Sequence, residues 1–290
     1  MKWPAFAYAK PTTLDALWAE RAAAPADAKL LAGGQSLLAT LAFRLSAPSK
    51  LIDITAIEAL RGIAVTDGGL RLGALTRHAD LLRDAEVRRR APLLAEAAGL
   101  IGHVAIRNRG TLGGSLAYAD PAAELPACMI ALGATIVAAS PRGERRIPAR
   151  LFFTGLFETA LAEDEILAAV EVPAAQPGQL TGIAEIARRS GDFAMAGLAC
   201  SLAFTRGAVS EARLVFFALG DTAVSAASAN AALAGQPLSE ATIAAAAEAV
   251  SDHLDPPADL HGTSEMKLHL ARVLTRRVLR SFLASGSAAA

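Results

Sequence analysis

The first half of the chain alternates short apolar runs with amphipathic stretches, and glycine and proline mark the changes. Thr12-Thr13-Leu14-Asp15 opens an amphipathic helix through Leu17, Trp18 and Arg21, with Thr12 or Thr13 as N-cap. Pro25 and Asp27 end that region. Lys29-Leu30-Leu31-Ala32 reads as a short buried strand, Gly33-Gly34-Gln35 as a turn, and Ser36 as the cap of a helix reaching about Arg44. Leu51-Ile52-Asp53-Ile54 is the next strand, which gives a small β-α-β unit near the N-terminus.

Gly62 to Val65 and Leu70 to Leu72 form a hairpin around Asp67-Gly68-Gly69. Thr76 is expected to cap the next helix, and Ala91 to Leu100 forms another. A second glycine turn falls at 110–114, with a helix at Glu124–Leu132 and a strand at Thr135–Ala138. Pro141-Arg142-Gly143 turns into Arg146-Ile147-Pro148, and Ile166 to Val172 is a strand closed by Pro173. Ala174 to Gln179 is the best linker candidate. Beyond it, Ala184–Ala187, Ala196–Thr205 and Ala212–Leu219 read as three strands. Alanine-rich helices follow, including Glu240–Val250 and His261–Leu283, and the tail Ser285–Ala290 is expected to fray.

At 290 residues the chain can bury a full core and is expected to divide in two. It is 53 % hydrophobic but only 5 % aromatic, so much of its apolar surface is alanine suited to close helix packing. The 28 basic and 28 acidic residues balance and give no reason to expect nucleic acid or an anionic membrane. The longest apolar run, Leu125–Ala139, is shorter than the roughly 20 residues of a bilayer span and reads as a buried helix leading into a strand. The N-terminus lacks a signal-peptide pattern, and a cytoplasmic location is expected. Two cysteines, Cys128 and Cys200, cannot supply the four ligands of a [2Fe–2S] cluster. The five histidines show no metal spacing, and no catalytic triad or carboxylate pair is apparent.

Chemistry points instead to two glycine doublets about eighty residues apart, Gly33-Gly34 and Gly113-Gly114. Each is followed closely by a small hydroxyl residue, Ser36 or Ser115, and each can leave backbone N–H groups free for an anion. Two such turns facing each other would cage a diphosphate. There is no P-loop and no Gly-x-Gly-x-x-Gly after a strand. Asp120-Pro121-Ala122-Ala123-Glu124 reads as a helix start with Asp120 as N-cap, and the Glu124 carboxylate could accept from ribose hydroxyls. Arg107 and Arg109 leave two readings open, solvated charges or contacts to a phosphate or partner.

Ala32-Gly33-Gly34-Gln35-Ser36-Leu37-Leu38, Ile106 to Ser115 and Ala119 to Pro126 together resemble the FAD-binding medium subunit of the molybdenum hydroxylases, the xanthine dehydrogenase and carbon monoxide dehydrogenase family. The likeness covers nearly the whole chain, since Arg188-Arg189-Ser190-Gly191-Asp192-Phe193-Ala194 and the C-terminal helix also fit. It implies an α+β fold: a two-part FAD-binding domain of the vanillyl-alcohol-oxidase-like (PCMH) type, then a C-terminal α+β domain with a three-stranded antiparallel sheet and helices. The implied boundaries are 1–175, split into 1–56 and 57–175, and 176–286.

The same resemblance implies that Ala32, Gly33, Gly34, Gln35, Ser36 and Leu37, with Thr111, Leu112, Gly113, Gly114 and Ser115, hold the FAD diphosphate from two sides. Glu124 matches a carboxylate near the ribose. Ile101 and Leu167 match apolar positions lining the flavin or adenine, and Phe193, beside Asp192, matches the residue over the isoalloxazine. The implied partners are a large molybdopterin-binding subunit and a small subunit with two [2Fe–2S] clusters, in a heterotrimer or dimer of heterotrimers, with no membrane insertion. Ala39, Tyr118 and Phe193 depart from residues common in the family without removing a phosphate donor. Two alternatives stay open: a self-contained flavin reductase of the same fold, and a scaffold that lost its flavin.

Overall fold

The computed structural model describes residues 2–287. Strand β1 (Ala7–Ala9), helix α1 (Leu14–Ala22), strand β2 (Lys29–Leu31), helix α2 (Leu37–Ala42) and strand β3 (Lys50–Asp53) make the N-terminal layer. Its sheet is parallel, in the order β1-β3-β2. Helix α1 starts at its cap: Thr13 Oγ1 accepts from the Ala16 amide at 3.2 Å. Strand β1 carries no readable period in sequence. It is tied from outside, by the Tyr8 hydroxyl donating to Asp53 at 2.6 Å.

The second layer runs through β4 (Ile63–Thr66), β5 (Gly69–Gly73), α3 (His78–Arg83), α4 (Ala85–Arg90), α5 (Pro92–Leu100), α6 (Val104–Arg107), α7 (Leu112–Tyr118) and α8 (Glu124–Ala131). It continues through β6 (Thr135–Ser140), β7 (Gly143–Pro148), the small hairpin β8 (Phe153–Gly155) and β9 (Glu158–Thr159), and β10 (Ile166–Pro173). Five of these strands form an antiparallel sheet in the order β4-β5-β10-β6-β7. Strand β10 lies at its centre and is buried on both faces. Leu167, Val170 and Val172 enter one core, Ile166 and Ala168 the other, which accounts for its apolar run from Ile166 to Val170.

The remaining elements are β11 (Leu180–Ala187), β12 (Ala194–Thr205), β13 (Ala208–Phe217), β14 (Val224–Ser225), α9 (Ala227–Leu233), α10 (Glu240–Ala249) and α11 (Ser264–Ser287). The antiparallel sheet has four strands, in the order β11-β12-β13-β14, and not three. The two residues of β14 are too few to show an alternation. One face of this sheet sends Ala199, Val215 and Phe217 into the core shared with α5 and α8. The other sends Leu198, Cys200, Leu202, Leu214 and Phe216 toward α9, α10 and α11.

Two expected caps are placed elsewhere. Thr76 donates its hydroxyl to the Gly62 carbonyl at 3.2 Å, and α3 begins after Arg77. Asp120 accepts from the Ala122 amide at 2.9 Å in the turn before α8, whose N-cap is Ala123. Both cysteines are buried free thiols, and burial pushes both upward from their ordinary range. Helix α11 starts at Ser264, three residues later than expected, and continues through Ser287; the rest of the tail lies outside the described residues. Arg277 is exposed on its outer face. Arg276 and Arg280 pair with Glu248 and Glu240, and Arg272 donates to Ser251 Oγ at 2.7 Å. No helix among the described residues is long and apolar enough to cross a membrane.

The residues before α11 form a tight loop because Asp259 holds it. Its carboxylate accepts from the amides of His261 at 2.8 Å and Gly262 at 3.2 Å, and from Lys267 Nζ at 2.7 Å. The Lys267 side chain is 4 % exposed and also donates to the Pro257 carbonyl at 2.9 Å. Removing Asp259 strands a buried ammonium, whereas removing the ammonium strands only an exposed carboxylate. Asp259→Ala is therefore expected to cost about 2–3 kcal/mol, and Lys267→Met clearly less, as read by urea unfolding of each variant.

Candidate functional site

The first glycine segment behaves as its sequence suggests. Strand β2 ends at Leu31 and the chain turns through Ala32 to Ser36 into α2. Gly34 sits at φ +75°, where a side chain is strained. The amides of Gly33, Gly34, Gln35 and Ser36 find no acceptor among the described residues. Ser36 occupies the N-cap position but has helical backbone angles, so its hydroxyl makes no cap bond and stays available. The Gln35 side chain folds back onto the Gly33 carbonyl at 3.0 Å.

The second segment is different. Gly113 and Gly114 are not in a turn: they lie in the first turn of α7, with Thr111 as the N-cap accepting from Gly114 N at 3.1 Å. The other amides are committed as well. Leu112 donates to the Thr76 carbonyl at 2.9 Å, Gly113 to Ala74 at 2.8 Å and Ser115 to Thr111 at 3.0 Å. The expectation of free N–H groups in both doublets is thus corrected, because the chain end of β5 consumes those of the second. Gly113 is needed for close packing, since a Cβ there would stand 2.8 Å from Ala74 Cα. Thr111, Leu112 and Gly113 are buried, and the Ser115 hydroxyl has no partner.

The two segments meet. A Cβ on Gly33 would stand 2.8 Å from Gly110 Cα and closer still to the Arg109 carbonyl oxygen. A Cβ on Gly114 would touch the Ala32 methyl at 3.6 Å. Arg77 and His78, neither anticipated from sequence, support this seam from behind. The Arg77 guanidinium donates to the Arg109 carbonyl, and the His78 amide donates to Gly110 O at 3.1 Å. The His78 ring fills the space a Gly110 side chain would need, 2.8 Å from that Cβ position. Burial lowers His78 to about 4, against an opposing effect of the Thr111 backbone. Arg107 is spent on the carbonyls of Ile101 and Gly102, at 3.0 and 2.7 Å.

Glu124, at the start of α8, stands in a group of carboxyls that sequence did not bring together. Burial, with Glu185 and Asp120 nearby, pushes it up to about 8. Burial lifts Glu185 on β11 to about 7, and its Oε2 is buried without a partner. Glu96 on α5 is also raised by burial. Ile101 ends α5 and packs at the core edge. Leu167 is 5 % exposed and belongs to the core beneath the sheet, so its side chain lines no open surface. Leu37 is half-buried at the first position of α2. Asp192 and Phe193 stand in the exposed β11–β12 loop, Phe193 at 69 % exposure. That loop touches the Ile101 side of the site through Gly191, whose Cβ position is 3.0 Å from the His103 ring. No group of three or more His, Cys, Asp or Glu among the described residues is placed to hold a metal ion.

Comparison with known proteins gives this geometry a family. A model of the FAD binding domain in molybdopterin dehydrogenase matches residues 4–175, and one of the CO dehydrogenase flavoprotein C-terminal domain matches residues 183–282. The chain is 39 % identical over 284 residues to the 6-hydroxypseudooxynicotine dehydrogenase complex subunit alpha of Paenarthrobacter nicotinovorans, covering 98 % of this chain and 96 % of that one. It superposes on a chain of carbon monoxide dehydrogenase from Hydrogenophaga pseudoflava with TM-score 0.95 at 38 % identity, covering 98 % and 99 %. A chain of quinoline 2-oxidoreductase from Pseudomonas putida 86 gives TM-score 0.92 at 39 % identity, with coverage of 98 % and 99 %.

The carboxyl group sets a pH dependence. Glu124 and Glu185 are raised in the fold, so each favours folding when protonated. Their contribution is complete below the ordinary glutamate range and is lost as pH rises through about 7 for Glu185 and about 8 for Glu124. The melting temperature of the flavin-free chain is expected to fall between pH 6 and pH 9. Glu124→Gln should flatten that fall, and at pH 9 should melt roughly 2–4 °C above the parent. An unchanged pH profile in the variant would count against this assignment.

Proposed function

The chain belongs to the FAD-binding medium-subunit family of the molybdenum hydroxylases, which are oxidoreductases, and from that premise we propose that it holds FAD across the seam of its two glycine segments to pass electrons between partner subunits and an external acceptor. The observation that carries the reading is the contact of Gly33 with Arg109 and Gly110, beside four unpartnered amides at 33–36. A diphosphate needs donors that can approach closely, and amides next to bare Cα atoms provide them.

The residues present fit the cofactor. Gly33, Gly34, Gln35 and Ser36 supply amides, and Ser36 and Ser115 supply hydroxyls. Thr111 and Gly113 act differently: they hold α7 in place so that Gly114 and Ser115 border the seam. Ala32, Leu37 and Leu112 shape the walls. Glu124 accepts from the ribose. Ile101 and Phe193, with Asp192 beside it, border the ring end, and Leu167 supports that end from within the core. Bound FAD accepts electrons singly and releases them as a pair, and the chain's part is to position and tune it.

In this reading residues 1–175 form the two-part FAD-binding domain, divided at 56, and residues 176–286 form the C-terminal domain. A large molybdopterin subunit hydroxylates the substrate, and a small subunit relays electrons through [2Fe–2S] clusters that two buried cysteines here could not hold. The relatives carry names for different substrates, including carbon monoxide, nicotine and caffeine. Substrate choice therefore belongs to the large subunit. The complex is cytoplasmic.

Purified chain is expected to show a flavin absorption spectrum after incubation with FAD. Gly33→Val should abolish it, because the new side chain meets the Arg109 carbonyl. Gly68→Ala, where nothing lies within 4 Å, should bind like the parent. A Gly33→Val protein that folds and retains the full spectrum would refute the seam as the cofactor seat.

A further inference from the structure

Arg77 makes no ion pair among the described residues, although it is partly buried. Its guanidinium is spent on the Arg109 main-chain carbonyl, the same oxygen against which Gly33 packs. Burial disfavours its ionised form most, Arg61 and Arg109 add to that, and Asp80 and Asp53 oppose it. The two closest carboxylates are occupied. Asp80 accepts from the Arg77 amide at 3.1 Å, and Asp53 accepts from Tyr8, from Thr55 and from Lys10. The Arg109 side chain is exposed and has no partner among the described residues. Behind Arg77, the buried His78 ring packs on Gly110. A partly buried guanidinium, with the exposed Arg109 side chain beside it, thus adjoins the four free amides at 33–36.

We propose that Arg77 is a positioning residue for the diphosphate of the cofactor, fastening the carbonyl on which the two glycine segments meet and placing positive charge beside a bound anion. The proposal rests on the assignment of this seam to FAD. Arginine suits both tasks: its planar fork holds a carbonyl in a fixed direction, and its charge persists at every working pH. The neutral His78 beside it keeps the ring from adding a competing charge while filling the space under Gly110. A lysine would keep the charge but lose the fork.

The test is titration of the full flavin-free chain with FAD and with riboflavin, which has no phosphate, at several salt concentrations. Arg77→Gln is expected to weaken FAD by about 10- to 100-fold, the effect of losing a charge-assisted contact. It should also lower the slope of log Kd against log salt and leave riboflavin binding unmoved. Arg77→Lys should keep the parent's salt slope and lose several-fold in affinity. Equal weakening of FAD and riboflavin by Arg77→Gln, or parent-like FAD affinity and slope, would overturn the proposal. If Arg77→Gln does not fold by circular dichroism, Arg77→Lys decides, and parent-like FAD affinity there overturns it. Failure of the underlying assignment looks different: the parent would not take up FAD, or Gly33→Val would bind it normally.

Discussion

One steric contact organises this molecule: the bare Cα of Gly33 against the Arg109 carbonyl and Gly110. It joins the N-terminal parallel layer to the antiparallel one at the point where both present small or absent side chains. Any Cβ at Gly33 would push the layers apart there. Gly110 is constrained from the other side by the His78 ring, so the seam is fixed from two directions.

The two glycine doublets look alike in sequence and act differently in the fold. The first leaves its amides free and uses Gly34 to adopt φ +75°. The second spends its amides on Ala74, Thr76 and Thr111, and uses its missing side chains to let α7 pack against Ala74. One is a donor surface and the other is a brace. The asymmetry follows from position: α2 begins in the open after β2, whereas α7 begins against the end of β5.

Much of this was legible from local chemistry. The Thr13 cap, the β4–β5 hairpin around Asp67-Gly68-Gly69, and the run from α8 into β6 each depend on neighbours in sequence. So does the first glycine turn. What escaped depends on distant partners. Arg77 meets Arg109 across 32 residues, and Tyr8 orders β1 by reaching Asp53 across 45. Thr76 looked like a helix cap because its hydroxyl is suited to one, yet it bonds Gly62 instead. Glu124 and Glu185 show no sequence sign of meeting, since one starts a helix and the other lies in a strand of the following sheet. The alternation in the C-terminal strands was hidden because both faces of that sheet are buried.

The position of β10 bears on the order in which the molecule can be made. It is the last strand of its sheet to be synthesised, yet it lies at the centre, between β5 and β6. Until it emerges from the ribosome, β4–β5 and β6–β7 are two separate hairpins without a shared neighbour. The Ala74 amide, beside the carbonyl that receives Gly113, is itself anchored on the Ala168 carbonyl of β10 at 2.9 Å. The brace for α7 is therefore completed only when a strand some ninety residues downstream of Ala74 has been inserted.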